Sequence, residues 1–170
     1  MGTAQKKYSE YIYEYDARDG FSFSAGVPFE IVTRMHSGII PGSNFYFVHW
    51  VLPHAEPFLR FGHPPHIHKN AELLFHIGSD PENPQDLGAE VEMCMGPEME
   101  KHVITQSCVV YIPPNFIHCP HRFIKSWRPW IFIMADQGPV HTEKGYHQLL
   151  PRDQMEQEKE RLSRFVDEGF

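Results

Sequence analysis

The sequence lacks the features that mark membrane-spanning and secreted proteins. No apolar run approaches the roughly 18 residues that a bilayer-spanning helix needs. The first ten residues, MGTAQKKYSE, have no apolar stretch of the kind found in a signal peptide. The three cysteines are too few, and odd in number, for a disulfide framework, and no two of them form a CxxC pair. We therefore expect a cytoplasmic protein without a membrane segment.

Positive charge is also scarce. The chain has 15 Lys and Arg residues against 22 Asp and Glu residues, which gives a formal net charge of −7 when the histidines are neutral. A chain with this balance is repelled by nucleic-acid phosphates and by anionic lipid surfaces. Nucleic acid and membranes are therefore not expected as partners, and a small molecule is the expected ligand.

What the chain does have is apolar residues, proline and histidine. Its 170 residues suit one domain, and the 41% of hydrophobic residues exclude a largely disordered chain. The 15 prolines predict many short strands and few long helices, because proline is restricted to strand edges and turns. The 12 histidines are more than a structural role requires, and their spacing is considered below.

Local patterns predict an all-β protein with one terminal helix. Aromatic, β-branched or alternating stretches predict strands over 44–52, 70–77, 89–95, 102–112 and 130–135. Pro151 lies near a predicted helix start, and a narrow apolar stripe after it predicts a C-terminal helix over 149–170. We expect residues 1–40 to form an arm and edge strands packed on a barrel over 41–148, all within one structural domain.

The segment His66-Ile67-His68-Lys69-Asn70-Ala71-Glu72 is the most informative stretch. In an extended chain every second side chain lies on the same face, so His66, His68 and Glu72 point the same way. His118 follows a predicted strand and a proline-stiffened turn, and a hairpin would bring it beside these residues. Imidazole nitrogens and a carboxylate oxygen suit one divalent transition metal. An isolated HxH is common by chance, but the added Glu and the Pro-x-Asn-x-x-His turn favour a metal site.

The two histidine motifs resemble the two signature motifs of the cupin superfamily. H-x-H-x3-E-x5-G at 66–78 resembles the first motif, and P-x-N-x-x-H at 113–118 resembles the second. The resemblance implies a small antiparallel jelly-roll barrel, and, since cupins often dimerise, a homodimer. By this resemblance the metal ligands are His66, His68, Glu72 and His118.

Both glycines of the second cupin motif are replaced, and Arg122 stands for its final Asn. Ser107 stands where the family has its first glycine, and Asn115 stands where it has the central one. Asparagine tolerates the left-handed backbone that glycine supplies, so we expect the turn to survive. None of these changes removes a ligand.

Further residues are candidates for substrate binding or catalysis. His76 lies four positions after the catalytic candidate Glu72, so both side chains point to the same face of a strand. His76 is therefore either an acid–base catalyst in the barrel or a hydrogen-bonded core histidine. Arg60 is either an anchor for a substrate carboxylate or an exposed arginine, and His63 lies either at the mouth of the site or simply in a loop. Tyr46 is either a substrate contact in the cavity wall or a core residue.

The first functional hypothesis is an enzyme in which a metal ion acts as a Lewis acid on a small, oxygen-rich metabolite. Hydrolytic, lyase or isomerase chemistry on a ketone, diketone or hydroxy acid would need no electron carrier. A non-haem iron dioxygenase and a small-molecule-binding module without turnover are the alternatives. Manganese, iron, zinc and nickel all suit the ligands, and the ligands alone do not choose between them.

Overall fold

The computed structural model describes residues 7–14, 29–57, 64–157, 159–163 and 167–170. Ten strands account for most of its regular structure. They are β1 (Phe29–Met35), β2 (Phe45–Val51), β3 (His66–Ile67), β4 (Glu72–Gly78), β5 (Asp86–Met95), β6 (Glu100–Gln106), β7 (Cys108–Ile112), β8 (His118–Ser126), β9 (Trp130–Asp136) and β10 (Lys144–Gly145). Two short helices follow, α1 (Arg152–Gln157) and α2 (Lys159–Leu162), and 3-10 turns occupy Ser9–Tyr11 and His147–Leu149.

The strands form two antiparallel sheets of five strands each. The first sheet has the order β1-β2-β9-β4-β7, and the second has the order β10-β3-β8-β5-β6. Alternate side chains on each strand point into the space between the sheets, as the two-residue period of a strand requires. The fully buried apolar core there includes Val51, Leu87, Val91, Ile112 and Trp130. The predicted all-β jelly-roll architecture is confirmed.

Most of the predicted strands are confirmed, but one predicted strand is two. The stretch 102–112 is divided at Ser107 into β6, in the second sheet, and β7, in the first. The backbone N–H of Ser107 donates to the carbonyl of Gln85 at 2.8 Å, and its hydroxyl donates to the carbonyl of Pro84 at 2.7 Å. These bonds hold the loop before β5 at the point where the chain crosses between sheets.

The C-terminal region also differs from the predicted single helix. Helix α2 ends at Leu162, and the tail returns to the barrel, where Glu168 and Glu143 exchange two backbone hydrogen bonds of 2.7 and 2.8 Å. A continuous helix to residue 170 is therefore excluded. None of the helices in the described ranges has the length and apolar character needed to cross a membrane.

Two turn residues of the histidine motifs have the expected backbone roles. A Cβ atom on Gly78 would lie 2.2 Å from the carbonyl oxygen of Asp86, so only glycine fits there. Asn115 has a φ of 59°, in the left-handed region that asparagine tolerates, and its N–H donates to the carbonyl of His68 at 2.8 Å. This bond ties the second motif to the first.

A bulge in β8 places two histidines on the same face. His118 is paired with Met95 and His121 with Met93, so three residue steps on β8 match two on β5. The extra residue lies around Cys119, whose φ is 72°. Simple alternation would turn His121 outward, but the bulge returns it to the inward face of β8 that His118 also occupies.

Candidate metal centre

The four side chains that the sequence predicts as ligands meet at one end of the barrel. They come from the start of β3, the loop after it, the start of β4 and the start of β8. Nε2 of His66 lies 3.1 Å from Nε2 of His68. The Oε2 atom of Glu72 lies 3.5 Å from Nε2 of His68 and 3.2 Å from Nε2 of His118. All four residues are fully buried, with exposed fractions of 1 to 3%.

The hydrogen bonds behind the three rings determine which nitrogen faces the centre. Nδ1 of His66 donates to the carbonyl of Pro64 at 2.6 Å, and Nδ1 of His118 donates to the carbonyl of Phe116 at 3.2 Å. Nδ1 of His68 donates to the carbonyl of Thr142. A carbonyl can only accept, so in each neutral ring the proton is on Nδ1 and the Nε2 lone pair points to the centre.

This arrangement fits a divalent transition metal. Converging lone pairs and a carboxylate repel one another unless a cation lies between them. Donor atoms bound about 2.0 to 2.2 Å from one ion lie about 3.0 to 3.5 Å apart at tetrahedral or octahedral angles. The observed separations of 3.1 to 3.5 Å fall in that range. The Nδ1–carbonyl bonds are also the supporting contacts that metal-bound imidazoles commonly make.

The pKa values of Glu72 and His68 depend on burial and on the contacts that these groups make. Burial opposes ionisation of Glu72, but the contacts with His118 and His68, whose Nε2 atoms donate to it when the rings are protonated, outweigh burial and hold the pKa of that carboxyl well below its usual range. Burial likewise opposes protonation of His68, but contact with Glu72 raises its pKa on balance. A proton on His68 and a metal ion are thus alternative cations for the same carboxylate.

Comparison with known proteins gives a likeness at the level of fold. No protein-family model and no curated protein matches the chain. Peruvianin-I, a cysteine peptidase from Thevetia peruviana latex, is 14% identical over 85% of this chain and 82% of that chain, with a TM-score of 0.50. An oxalate oxidase is 12% identical over 79% of this chain, with a TM-score of 0.47, and this chain covers 63% of it, under two thirds of its length. An RmlC-like cupin from Shewanella frigidimarina is 13% identical over 69% of this chain and 81% of that chain, with a TM-score of 0.39.

The deciding observation is that both histidine motifs bring their ligands together at one end of a barrel made of two antiparallel sheets. The chain has the cupin fold. At these sequence identities the likeness to the solved structures concerns the fold alone. Which chemistry this barrel supports therefore depends on its own residues.

A second layer of polar residues lies behind the ligands. Nδ1 of His141 is 2.5 Å from Oδ2 of Asp136, and Nε2 of His141 is 3.3 Å from Oε2 of Glu143. Burial lowers the pKa of His141, but its hydrogen bonds with the two carboxylates raise it to about 10, so the ring is charged at neutral pH. Glu143 also lies 3.6 Å from Nδ1 of His66. The segment 141–143 thus supports the rings of both His66 and His68.

This second layer was not predicted from the sequence. Asp136 is the last residue of β9 and lies opposite Glu72 in the β4–β9 ladder, a pairing of residues 64 positions apart. His141 and Glu143 lie in a loop with no motif of their own. The available signal was the unusual number of histidines, which does not say which of them meet.

His76 faces the interior, as its parity predicts, but it does not lie beside the ligands. Leu74 separates it from Glu72 on the inward face, and four residue steps along a strand span about 13 Å. Its Nε2 lies 2.9 Å from Nε2 of His121, and its ring packs on Trp130 and Phe132 at centroid distances of 5.6 and 5.5 Å. The expected position in the metal pocket is thus corrected to an aromatic layer deeper in the barrel.

The three predicted substrate contacts have different outcomes. Tyr46 is 39% exposed and lies on the opposite face of β2 from the buried Phe47 and His49. It is therefore outside the barrel and does not line a cavity between the sheets. Arg60 and His63 lie outside the described residues.

Proposed function

We propose that this cupin is a metal-dependent enzyme that acts on a small, oxygen-rich metabolite, such as a ketone, a diketone or a hydroxy acid, by hydrolytic, lyase or isomerase chemistry. The observation that carries the proposal is the buried cluster of three imidazoles in which every Nδ1 is held by a carbonyl, with the carboxylate of Glu72 3.5 and 3.2 Å from Nε2 of His68 and His118. One Mn, Fe, Zn or Ni ion suits this donor set. When bound, such an ion supplies Lewis-acid stabilisation of negative charge that develops on a substrate oxygen.

Asp136 is the residue best placed to move a proton. It is 1% exposed and projects inward beside Glu72. Its Oδ2 accepts from His141, whereas its Oδ1 has no hydrogen-bond partner among the described residues. A buried carboxylate oxygen without a partner is costly in free energy, which is commonly tolerated where the group has a chemical role. We assign Asp136 as the base that takes a proton from the substrate.

The residues next to Glu72 and Asp136 exclude water. Phe47, Met134 and Leu74 form the next inward row across β2, β9 and β4. Phe47 and Leu74 are each 3% exposed. An apolar wall beside a charged centre strengthens electrostatic interactions there and limits side reactions with solvent. A substrate of few atoms, bound through its oxygens, suits this surrounding.

The test is a substrate panel with defined metals. Protein loaded in turn with Mn, Fe, Zn or Ni is assayed on 1,3-diketones, hydroxy acids and catechols, with and without oxygen. We expect turnover that requires the metal and proceeds without oxygen. Asp136→Asn should retain the metal but lower turnover by about 100-fold or more, the usual scale for a lost general base.

His76→Gln is the matched control because His76 is also buried and inward-facing. It should keep both the metal and the turnover rate. Turnover that consumes oxygen with iron alone would overturn the proposal in favour of a non-haem iron dioxygenase. Metal-dependent binding of panel compounds without conversion would overturn it in favour of a binding module.

A further inference from the structure

The tail, residues 167–170, is bound to the segment that supports the metal ligands. Glu168 and Glu143 form an isolated antiparallel bridge, in which each N–H donates to the carbonyl of the other residue, at 2.7 and 2.8 Å. Oδ1 of Asp167 also accepts from the N–H of Gly145 at 3.0 Å. These three bonds hold the tail along the outer edge of segment 142–145.

Two further tail residues contact neighbours of the ligand His68. Gly169 has a φ of 70°, and a Cβ atom on it would lie 2.9 Å from Cγ2 of Thr142, so the backbone of the tail passes close to this side chain. Nζ of Lys69 lies 5.0 Å from the centre of the Phe170 ring, which is a cation–π contact made by the residue directly after His68. The tail therefore contacts both chain segments that meet at His68.

The opposite edge of segment 142–145 contacts the metal ligands themselves. The carbonyl of Thr142 accepts from Nδ1 of His68, and its hydroxyl accepts from the N–H of Lys69 at 2.9 Å. In the pairing of β10 with β3, Gly145 lies opposite the ligand His66. The segment thus links the tail on its outer edge to two ligands on its inner edge.

Segment 142–145 has little regular structure of its own. β10 is only two residues long and forms the end of the second sheet. A strand this short is weakly held by its own ladder, and such edges open locally. The hydrogen bonds from the tail therefore contribute to the order of the segment, and through it to the positions of His66 and His68.

We propose that docking of the tail on segment 142–145 and binding of the metal ion stabilise each other. A bound ion fixes the rings of His66 and His68, and through them Thr142 and Gly145, so the tail meets a rigid strand edge. When the tail is released, the segment moves more freely, and the rings lose supports that orient them toward the ion. Two binding events coupled in this way raise each other's affinity by the same factor. The proposal rests on the metal centre of the proposed function, but not on turnover.

The coupling connects a buried site to the protein surface. The four ligands are buried, whereas residues 167–170 are all exposed. Metal occupancy therefore changes the state of an exposed segment, and any change that displaces the tail weakens metal binding in return.

The matched variants Glu168→Pro and Glu168→Gln test the coupling in the whole chain. Proline has no N–H, so Glu168→Pro removes the bond to the carbonyl of Glu143, whereas Glu168→Gln keeps both backbone bonds. Both variants should fold, as circular dichroism can confirm, because residue 168 is exposed and lies outside the core. Calorimetric titration of metal-stripped protein with Zn²⁺ should give a dissociation constant about 10-fold higher for Glu168→Pro and unchanged for Glu168→Gln. Equal constants in the two variants would overturn the proposal.

Amide hydrogen exchange in the wild type, followed by NMR, tests the same coupling in the other direction. The N–H of Glu143 donates to the tail, so its exchange rate reports docking. The N–H of Ser126 is the control, because it donates to His54 in a second isolated bridge, at the far end of β8 from the ligand His118. Saturating Zn²⁺ should slow exchange at Glu143 by about 10-fold and leave Ser126 unchanged.

The outcomes separate failure of the coupling from failure of the metal centre. Zinc that binds without slowing exchange at Glu143 would overturn the coupling and leave the metal centre intact. An equal change at Glu143 and Ser126 would also overturn it, since it would reflect general stabilisation of the fold. A wild-type protein that binds no zinc would overturn the metal centre and the coupling together. None of these results depends on whether a substrate is turned over.

Discussion

Two layers of histidine in the same barrel differ in their surroundings. The metal layer, named for the ion that we propose it holds, is His66, His68 and His118; the aromatic layer includes the buried His76 and the half-buried His121. In the metal layer each Nδ1 donates to a carbonyl, and the Nε2 atoms of His68 and His118 lie 3.5 and 3.2 Å from the carboxylate of Glu72. In the aromatic layer the rings contact each other and pack on Phe132 at centroid distances of 5.5 and 5.1 Å.

The surroundings of a histidine cluster, and not the number of its rings, therefore decide whether it suits a cation. Burial lowers the pKa of His76 to about 4, and the backbone of Leu74 only partly offsets this. Burial acts on His68 in the same direction, but Glu72 reverses the balance and raises its pKa. A buried carboxylate and the orientation of the ring therefore distinguish His68 from His76, because both are buried histidines.

Low pH should produce the largest difference between the layers, because it should remove the metal ion from the metal layer. Metal-bound imidazoles must be deprotonated, and free histidine titrates near pH 6.5, so protons displace the ion as the pH falls below about 6. We expect the apparent metal affinity to fall by about 100-fold or more between pH 7 and pH 5. Equilibrium dialysis followed by elemental analysis measures this. Unchanged retention at about pH 4 would exclude three histidine ligands.

A smaller effect is expected from the support behind the metal layer. Glu143→Gln removes the charge that lies 3.6 Å from His66 and 3.3 Å from His141. Loss of such a supporting contact lowers metal affinity by about 10- to 100-fold. Glu168→Gln is the matched control, since Glu168 is exposed and meets Glu143 through backbone bonds. Equal metal affinities in the two variants, measured by titration calorimetry, would mean that the Glu143 carboxylate does not support the site.

The smallest predicted effect concerns the stability of the aromatic layer. His76 has a pKa of about 4 in the folded protein, against 6.5 for a histidine free in water. The unfolded chain therefore binds more protons between these values, and the free energy of unfolding decreases as the pH falls from about 6.5 to about 4. His76 accounts for up to about 3 kcal/mol of that decrease.

His76→Gln should flatten this pH dependence of stability while leaving the metal content unchanged. Urea unfolding of the metal-free proteins at several pH values between about 7 and about 4 measures the slope. The same slope in both proteins would show that His76 titrates normally. Loss of metal in this variant would mean that His76 belongs to the metal layer.

The sequence predicts contacts within one segment of the chain better than contacts between distant segments. His66, His68 and Glu72 are predictable because they share one extended segment, where parity alone sets the face. His118 required a second motif. His121 was not predictable, because the bulge near Cys119 breaks the alternation on which such reasoning depends. Asp136 joins the site only through strand pairing between distant segments, which no local pattern encodes.

The strand boundaries show the same limit. The apolar alternation of 89–95 predicted β5, and the pairs made by Glu90 and Glu92 confirm its wet face. The division of 102–112 at Ser107 follows from hydrogen bonds to the loop at Pro84 and Gln85, more than 20 residues away. Local propensity is the same on both sides of that division, so only the tertiary structure shows it.

The metal content of His118→Ala and His121→Ala measures directly which histidine layer holds the metal. The two residues lie three positions apart on β8, on the same inward face, one in each layer. Purified without added metal and analysed by elemental mass spectrometry, the wild type and His121→Ala should each hold about one ion per chain, and His118→Ala less than about a tenth of that. Full occupancy in His118→Ala would mean that His118 is not a metal ligand. Equal loss in both variants would mean that the two histidine layers do not differ in metal binding.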